Sequence, residues 1–241
     1  MKLNYLFFGW YTVGLILMLF FEVPDYLQFA NGLFLVFYAL STIELLFSLS
    51  KEKRLMYASL LFTGLITFFI EVIGVNTGFP FGSYQYTDTL GFLVWGVPVT
   101  IAFAWVGVIL NSMLLSTQAS KWKRAIETGL WVVVLDLILD PVALERSFWI
   151  WGGHGGFYGI PATNFISWFL IGALLSLFFP LFKEKEKMAP YATRLFQAML
   201  LMFGLLAWKA GMPELFFLAF LFILTVEGRN RIDLRRKKRS L

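Results

Sequence analysis

The chain of 241 residues has no cysteine and a single histidine, His154. Without thiols there are neither disulfides nor thiolate metal sites. One histidine cannot build a histidine metal centre, and the acidic residues show no metal-ligating spacing, so no metal is expected. Charge is scarce too: Asp, Glu, Lys and Arg make up 15% of the residues and cluster between apolar runs. No stretch outside those runs is long enough for a soluble domain. The first apolar run has one lysine before it and no small-residue cleavage site, which reads as a retained span rather than a signal peptide.

Apolar residues fill the chain instead. Hydrophobic residues account for 59%, with 28 Phe, and the mean hydropathy is +0.74. A water-soluble domain cannot hide that much apolar surface, so lipid is expected to be its solvent. A bilayer core takes about 20 apolar residues per helix. Candidate spans fall at about 4–21, 28–49, 55–74, 91–113, 125–143 and 161–182. The last apolar region is broken at KAGMP (209–213), where Gly211 and Pro213 predict a turn between spans 195–208 and 212–227. With eight spans and both termini cytoplasmic, all but Arg146 and Lys209 of the 20 Lys and Arg fall on the inner side. Seven spans would put the basic tail outside, against the positive-inside rule. The expected fold is therefore an all-α integral membrane protein of about eight transmembrane helices, one domain over 1–241, with a basic cytoplasmic tail at 228–241. That tail reads as topogenic and facing membrane lipid, with no nucleic-acid partner.

Two loops enter their next span alike. WGVPVTIAFAW (95–105) and YGIPATNFISW (158–168) each read aromatic, Gly, β-branched, Pro, any residue, Thr, with a Trp seven residues after the Pro. Proline suits a first helical turn and Trp a membrane interface. The shared Thr and Trp offsets go further and predict a parallel internal repeat of spans three–four and five–six, about an axis along the membrane normal. Such a repeat pairs Glu71, near the outer end of span three, with Asp136 or Asp140, near the outer end of span five.

Ionisable groups inside spans are costly and point to function. Glu44, Glu71, Asp136 and Asp140 are the acids so placed. Asp136 and Asp140 lie four residues apart and share a helix face. Two carboxylates that close in a low dielectric do not both ionise easily, so one is expected to keep a proton near neutral pH. Such a site can donate a proton and activate water. Glu71, Asp136 and Asp140 are thus the candidate catalytic acids; the structural alternative is helix capping or pairing with Arg146. Glu44, nearer the cytoplasmic side, suits either role. His154, in WGGHGG, is a further catalytic candidate as proton relay or water-orienting group, or else a solvated loop residue. Around these acids stand Phe81, Tyr84, Tyr86, Trp95, Trp149, Trp151, Tyr158 and Trp168. Singly each fits an interfacial belt. Together they suit a cation formed from a hydrocarbon, which aromatic faces stabilise while water is limited. Asn164, just inside span six, can hydrogen-bond a water or a carboxylate.

In chain order, EVIGVNTGFPFGSYQYTDTLG, WGVPVTIAFAW, LDLILDPVALERSFWIWGG and YGIPATNFISWF resemble the signature blocks of the CruF-type carotenoid hydratases, integral-membrane enzymes of carotenoid biosynthesis. The resemblance covers roughly residues 70–170; spans one, two, seven and eight are similar only in hydrophobicity. It implies addition of water to the terminal carbon–carbon double bond of an acyclic carotene such as lycopene, giving a tertiary alcohol. It also implies no cofactor, a place in the cell membrane, and other carotenoid-pathway enzymes as candidate partners. Such a reaction needs an acid that protonates the less substituted alkene carbon and a water that captures the tertiary cation. Glu71 or Asp140 fits the acid, with Asp136, His154 or Asn164 near the water; the sequence leaves open which acid gives the proton. Three rival readings share parts of this pattern: a carotenoid end-group cyclase, a proton-coupled transporter, and a non-catalytic carotenoid-binding protein.

Overall fold

The computed structural model describes residues 2–21, 23–49, 52–153, 155–182 and 188–239. Among them are the helices α1 (Lys2–Phe20), α2 (Phe29–Leu49), α3 (Lys53–Thr77), α4 (Thr100–Leu115), α5 (Lys121–Glu145), α6 (Ala162–Ser176), α7 (Ala189–Lys209) and α8 (Pro213–Arg239). Four very short strands, β1 (Tyr84–Tyr86), β2 (Leu93–Val94), β3 (Val97–Pro98) and β4 (Trp149–Trp151), are the only strands among the described residues. α1, α2, α3 and α7 are each long and apolar enough to cross a membrane, while α4 and α6 are apolar but shorter. The protein is an all-α membrane protein.

Helix bounds follow local chemistry. α4 starts only at Thr100 because the residues before it form a hairpin, β2 pairing antiparallel with β3. The break expected at KAGMP is a turn: α7 ends at Lys209, Gly211 takes φ 79°, and Pro213 opens α8. α8 runs on through the basic segment as far as Arg239.

α4 is the central helix and packs against α2, α3, α5, α6 and α7. Every residue from Trp105 to Leu115 is buried. Both ends of its one amide are used: Asn111 accepts from the Tyr38 hydroxyl (3.1 Å) and donates to the Ala192 carbonyl (2.8 Å), joining α2, α4 and α7. α5 and α6 approach closely because both carry glycine at the contact. A Cβ on Gly129 would sit 2.7 Å from the Phe169 carbonyl oxygen, and one on Gly172 2.8 Å from Val132 Cγ2.

The two motif-bearing regions fold alike. α3 is followed by β1, a hairpin turn and α4; α5 is followed by β4, a hairpin turn and α6. Trp95–Gly96 (φ 51° and 80°) and Tyr158–Gly159 (φ 50° and 85°) share the paired positive φ of a type I′ turn. The flanking pairs match as well, Val94 with Val97 and Phe157 with Ile160. Thr100 Oγ1 donates to the Leu90 carbonyl and Thr163 Oγ1 to the Phe81 carbonyl, both at 2.7 Å. The two offset Trp residues, Trp105 and Trp168, meet with ring centroids 4.2 Å apart and planes inclined by 31°. β1 and β4 pair antiparallel with Gln85 opposite Ile150, which is how equivalent strands meet across a two-fold axis.

The α5–α6 contact gives a stability test. Gly172→Val places methyl groups inside the distance that Gly172 keeps from Val132 and is expected to cost about 1–3 kcal/mol, read as a lower unfolding temperature in detergent. Gly9, whose Cβ would meet nothing within 4 Å, is the control, and Gly9→Val should leave that temperature unchanged.

Candidate active site

The segment between α3 and α4 folds back over the end of α3. Gly74, one turn beyond Glu71, permits this: a Cβ there would lie 2.8 Å from both Phe81 Cδ2 and the Tyr84 hydroxyl. β1 then lays two tyrosines on one face by its period of two. Both donate to Glu71 Oε2, Tyr86 at 2.9 Å and Tyr84 more closely. Trp105 Nε1–H, from α4, donates to Glu71 Oε1 at 2.7 Å. Glu71 itself is 3% exposed. Three donors thus converge on one carboxyl group and would stabilise a carboxylate formed there, while its apolar surroundings favour the neutral acid. Burial first, and then the charges of Glu71 and Asp140, push the Tyr84 and Tyr86 hydroxyls far above the ordinary phenol range. Both stay protonated and remain donors.

The partner strand carries the second acidic group. In the β1–β4 ladder Tyr84 faces Trp151 and Tyr86 faces Trp149, with ring centroids 5.1 and 5.8 Å apart. Trp149 Nε1–H donates to Asp140 Oδ1 at 2.6 Å. Asn164, in the first turn of α6, bridges the α5 acids with its single amide nitrogen, 2.7 Å from Asp140 Oδ2 and 3.0 Å from Asp136 Oδ2. Asp136 Oδ1 is buried with no partner among the described residues. Glu71 and the Asp136–Asp140–Asn164 group therefore stand on either side of one aromatic ladder.

Against this ladder lies a largely apolar cavity of about 290 Å³. Glu71, Tyr86, Trp105, Trp149 and Trp168 form one wall, and α1, α2 and α7 supply the opposite side through Tyr11, Phe34, Tyr38, Met199 and Phe203. Glu71 and Arg146 are the only charged residues that line it among those described. The volume is at the lower end for ligand pockets, which suits one end of a long molecule.

The sequence-derived candidates divide by position. Glu71, Tyr86, Trp149 and Trp168 line the cavity. Phe81, Tyr84, Trp151, Asn164, Asp136 and Asp140 form the layer behind, Phe81 lying edge-on to Tyr84 and 6.4 Å from the Trp105 ring. Trp95 is 65% exposed and rests on Phe69. Tyr158 is 39% exposed and donates to Glu214 at 3.3 Å. Neither lines the cavity. Glu44 accepts from the Asn4 backbone and side chain (3.1 and 2.9 Å) and ties α2 to α1, away from the cavity. His154 lies outside the described residues. Among the described residues no group of acids is placed to hold a metal. Trp105, absent from the expected site, contacts Glu71 directly; its offset from Pro98 was the signal that could have placed it there. The walls from α1, α2 and α7 left no signal beyond hydrophobicity.

Residues 30–226 match the model of the family described as "Carotenoid biosynthesis protein". The chain is also similar to a bisanhydrobacterioruberin hydratase from Haloarcula japonica, 35% identical over 122 residues, 48% of this chain and 41% of that protein. The matched region thus spans less than half the length of this relative. No solved structure matches the chain.

The bridging amide provides the test of this geometry. Asn164→Leu removes the donor shared by two buried carboxyl groups and is expected to destabilise by about 2–4 kcal/mol. Adding Asp136→Asn should recover part of that loss, because only one buried carboxyl group is then left without the shared donor; a double-mutant cycle of unfolding temperatures in detergent measures the coupling.

Proposed function

The chain belongs to the carotenoid biosynthesis protein family, and from that premise we propose that it adds water to the terminal double bond of an acyclic carotene. The observation that carries this reading is Glu71, the carboxyl group that meets the apolar cavity under three hydrogen-bond donors and beside aromatic faces. Glu71 enters as the neutral acid and gives its proton to the less substituted alkene carbon. The double-bond electrons form the new C–H bond, and a tertiary cation is left on the neighbouring carbon. Tyr84, Tyr86 and Trp105 take up the charge on the carboxylate that the proton leaves behind. In this reading Trp105, Trp168 and Trp149, which line the cavity, supply the aromatic rings that stabilise the cation. A water oxygen then bonds to the cation, and its spare proton returns to Glu71. One water is gained and no electrons are exchanged, so the step balances without an oxidant or reductant.

Asp136, Asp140 and Asn164 act one layer back in this scheme. Asp140 holds the Trp149 indole through its N–H and is a positioning residue for that wall. The small cavity admits one end group while the rest of the polyene stays among lipid chains.

Expression in a bacterium that makes lycopene, with pigments analysed by chromatography and mass spectrometry, tests the reading. Wild type should yield a product heavier by one water. Glu71→Gln should lose that product by about a hundredfold or more, the usual worth of a general acid, and Asp140→Asn by less. A ring-closed product without added oxygen would instead identify a cyclase, and unaltered pigment from well-expressed protein would sink the hydratase.

The distribution of Lys and Arg supports an orientation with both termini cytoplasmic and the β1–β4 ladder outside. The chain lacks cysteine, so single introduced thiols report without background. Gln85 and Lys123 are both exposed. A membrane-impermeant thiol reagent on intact cells should label Gln85→Cys and spare Lys123→Cys.

A further inference from the structure

A second pocket, of about 480 Å³, opens where α1, α5 and α7 end. It shares Met18, Val23, Arg146 and Leu206 with the apolar cavity and adds Glu145, Ser147 and Lys209. The shared residues set it directly beside the apolar cavity, with more polar groups in its lining. Lys209 Nζ donates to the Met18 carbonyl at 2.7 Å and so ties α7 to α1 beside this pocket. Arg146 stands at the junction. Its guanidinium carbon lies 5.6 Å over the Phe148 ring, which also lines the cavity. Its Nε–H is buried and has no partner among the described residues.

A tertiary cation in an apolar cavity has two fates. Water captures it and gives the alcohol, or an adjacent carbon loses a proton and an alkene returns. The outcome depends on a water held next to the cation, while bulk water is kept out. We propose that this pocket delivers that water and that Arg146 is its positioning residue, donating a hydrogen bond to the water oxygen and leaving a lone pair free for the cation. The proposal rests on the hydratase reading and adds to it the route and the residue for water. The Phe148 face holds the guanidinium by a cation–π contact, so Arg146 has an anchor that does not use its Nε–H. It acts through the water it holds.

The test separates capture from protonation. Membranes from cells making lycopene are incubated in deuterium oxide, and both the alcohol and the deuterium content of recovered carotene are measured. Arg146→Met should lower the alcohol by about tenfold or more, the worth of one charge-assisted hydrogen bond. Deuterium should still enter the recovered alkene, because protonation and proton loss continue without capture. Arg146→Lys, which keeps a cationic donor, should restore part of the alcohol. Ala210→Trp narrows the second pocket, which Ala210 lines without touching the cavity, and should shift the same ratio with Arg146 in place. Full alcohol yield from both Arg146→Met and Ala210→Trp would overturn the water route alone, as would equal loss of alcohol and deuterium exchange in both. Wild type that gains neither water nor deuterium would remove the hydratase reading and this proposal with it.

Discussion

A carboxyl group buried in an apolar interior has to find its hydrogen bonds inside the protein, and the placement of Glu71 organises much of what surrounds it. No single helix can meet that need. α3 supplies the acid, the loop after it supplies two phenols, and α4 supplies an indole N–H. The glycine at position 74 follows from the same requirement, since a side chain there would collide with Tyr84. So does the short strand β1, because a period of two is what turns Tyr84 and Tyr86 to the same side. Loop, helix and strand are thus held in register by one polar group.

Pairing β1 with β4 couples that group to a second one. Each strand follows a helix that bears an acid, and each precedes a two-residue turn, a proline and then a helix. The turns place Trp95 and Tyr158 at positive φ, a conformation that costs a bulky residue on the order of 1–3 kcal/mol. Strain at matched positions is consistent with two copies of one device. The copies have diverged where chemistry would need them to. Glu71 keeps hydroxyl donors and faces the cavity, whereas Asp140 takes a tryptophan and shares an asparagine with Asp136. Two similar halves thus give two unlike carboxyl environments across one aromatic ladder, an arrangement suited to separating proton transfer from the positioning of the wall.

How much was legible in the sequence depends on the kind of signal. Long apolar runs, the turn at Gly211 and Pro213, and the matching Thr and Trp offsets are local patterns, and they pointed to an all-α membrane protein with related halves. The intramembrane acids stood out because charge is expensive there. Three-residue strands such as β1 and β4 carry no periodicity long enough to read. The same is true of the hairpin that delays α4 to Thr100. Trp95 and Tyr158 looked like the other loop aromatics, yet positive φ turns both toward exposed positions away from the cavity.

The sequence by itself determined the solvent of this protein and the acids that had to be accommodated, because hydropathy and charge are properties of residues. Only the tertiary structure decided which carboxyl group meets the cavity, that Trp105 and Trp168 stack, and that α1, α2 and α7 close the other side. An apolar residue facing lipid and one facing a cavity have the same hydropathy, so the choice between them is made by packing alone.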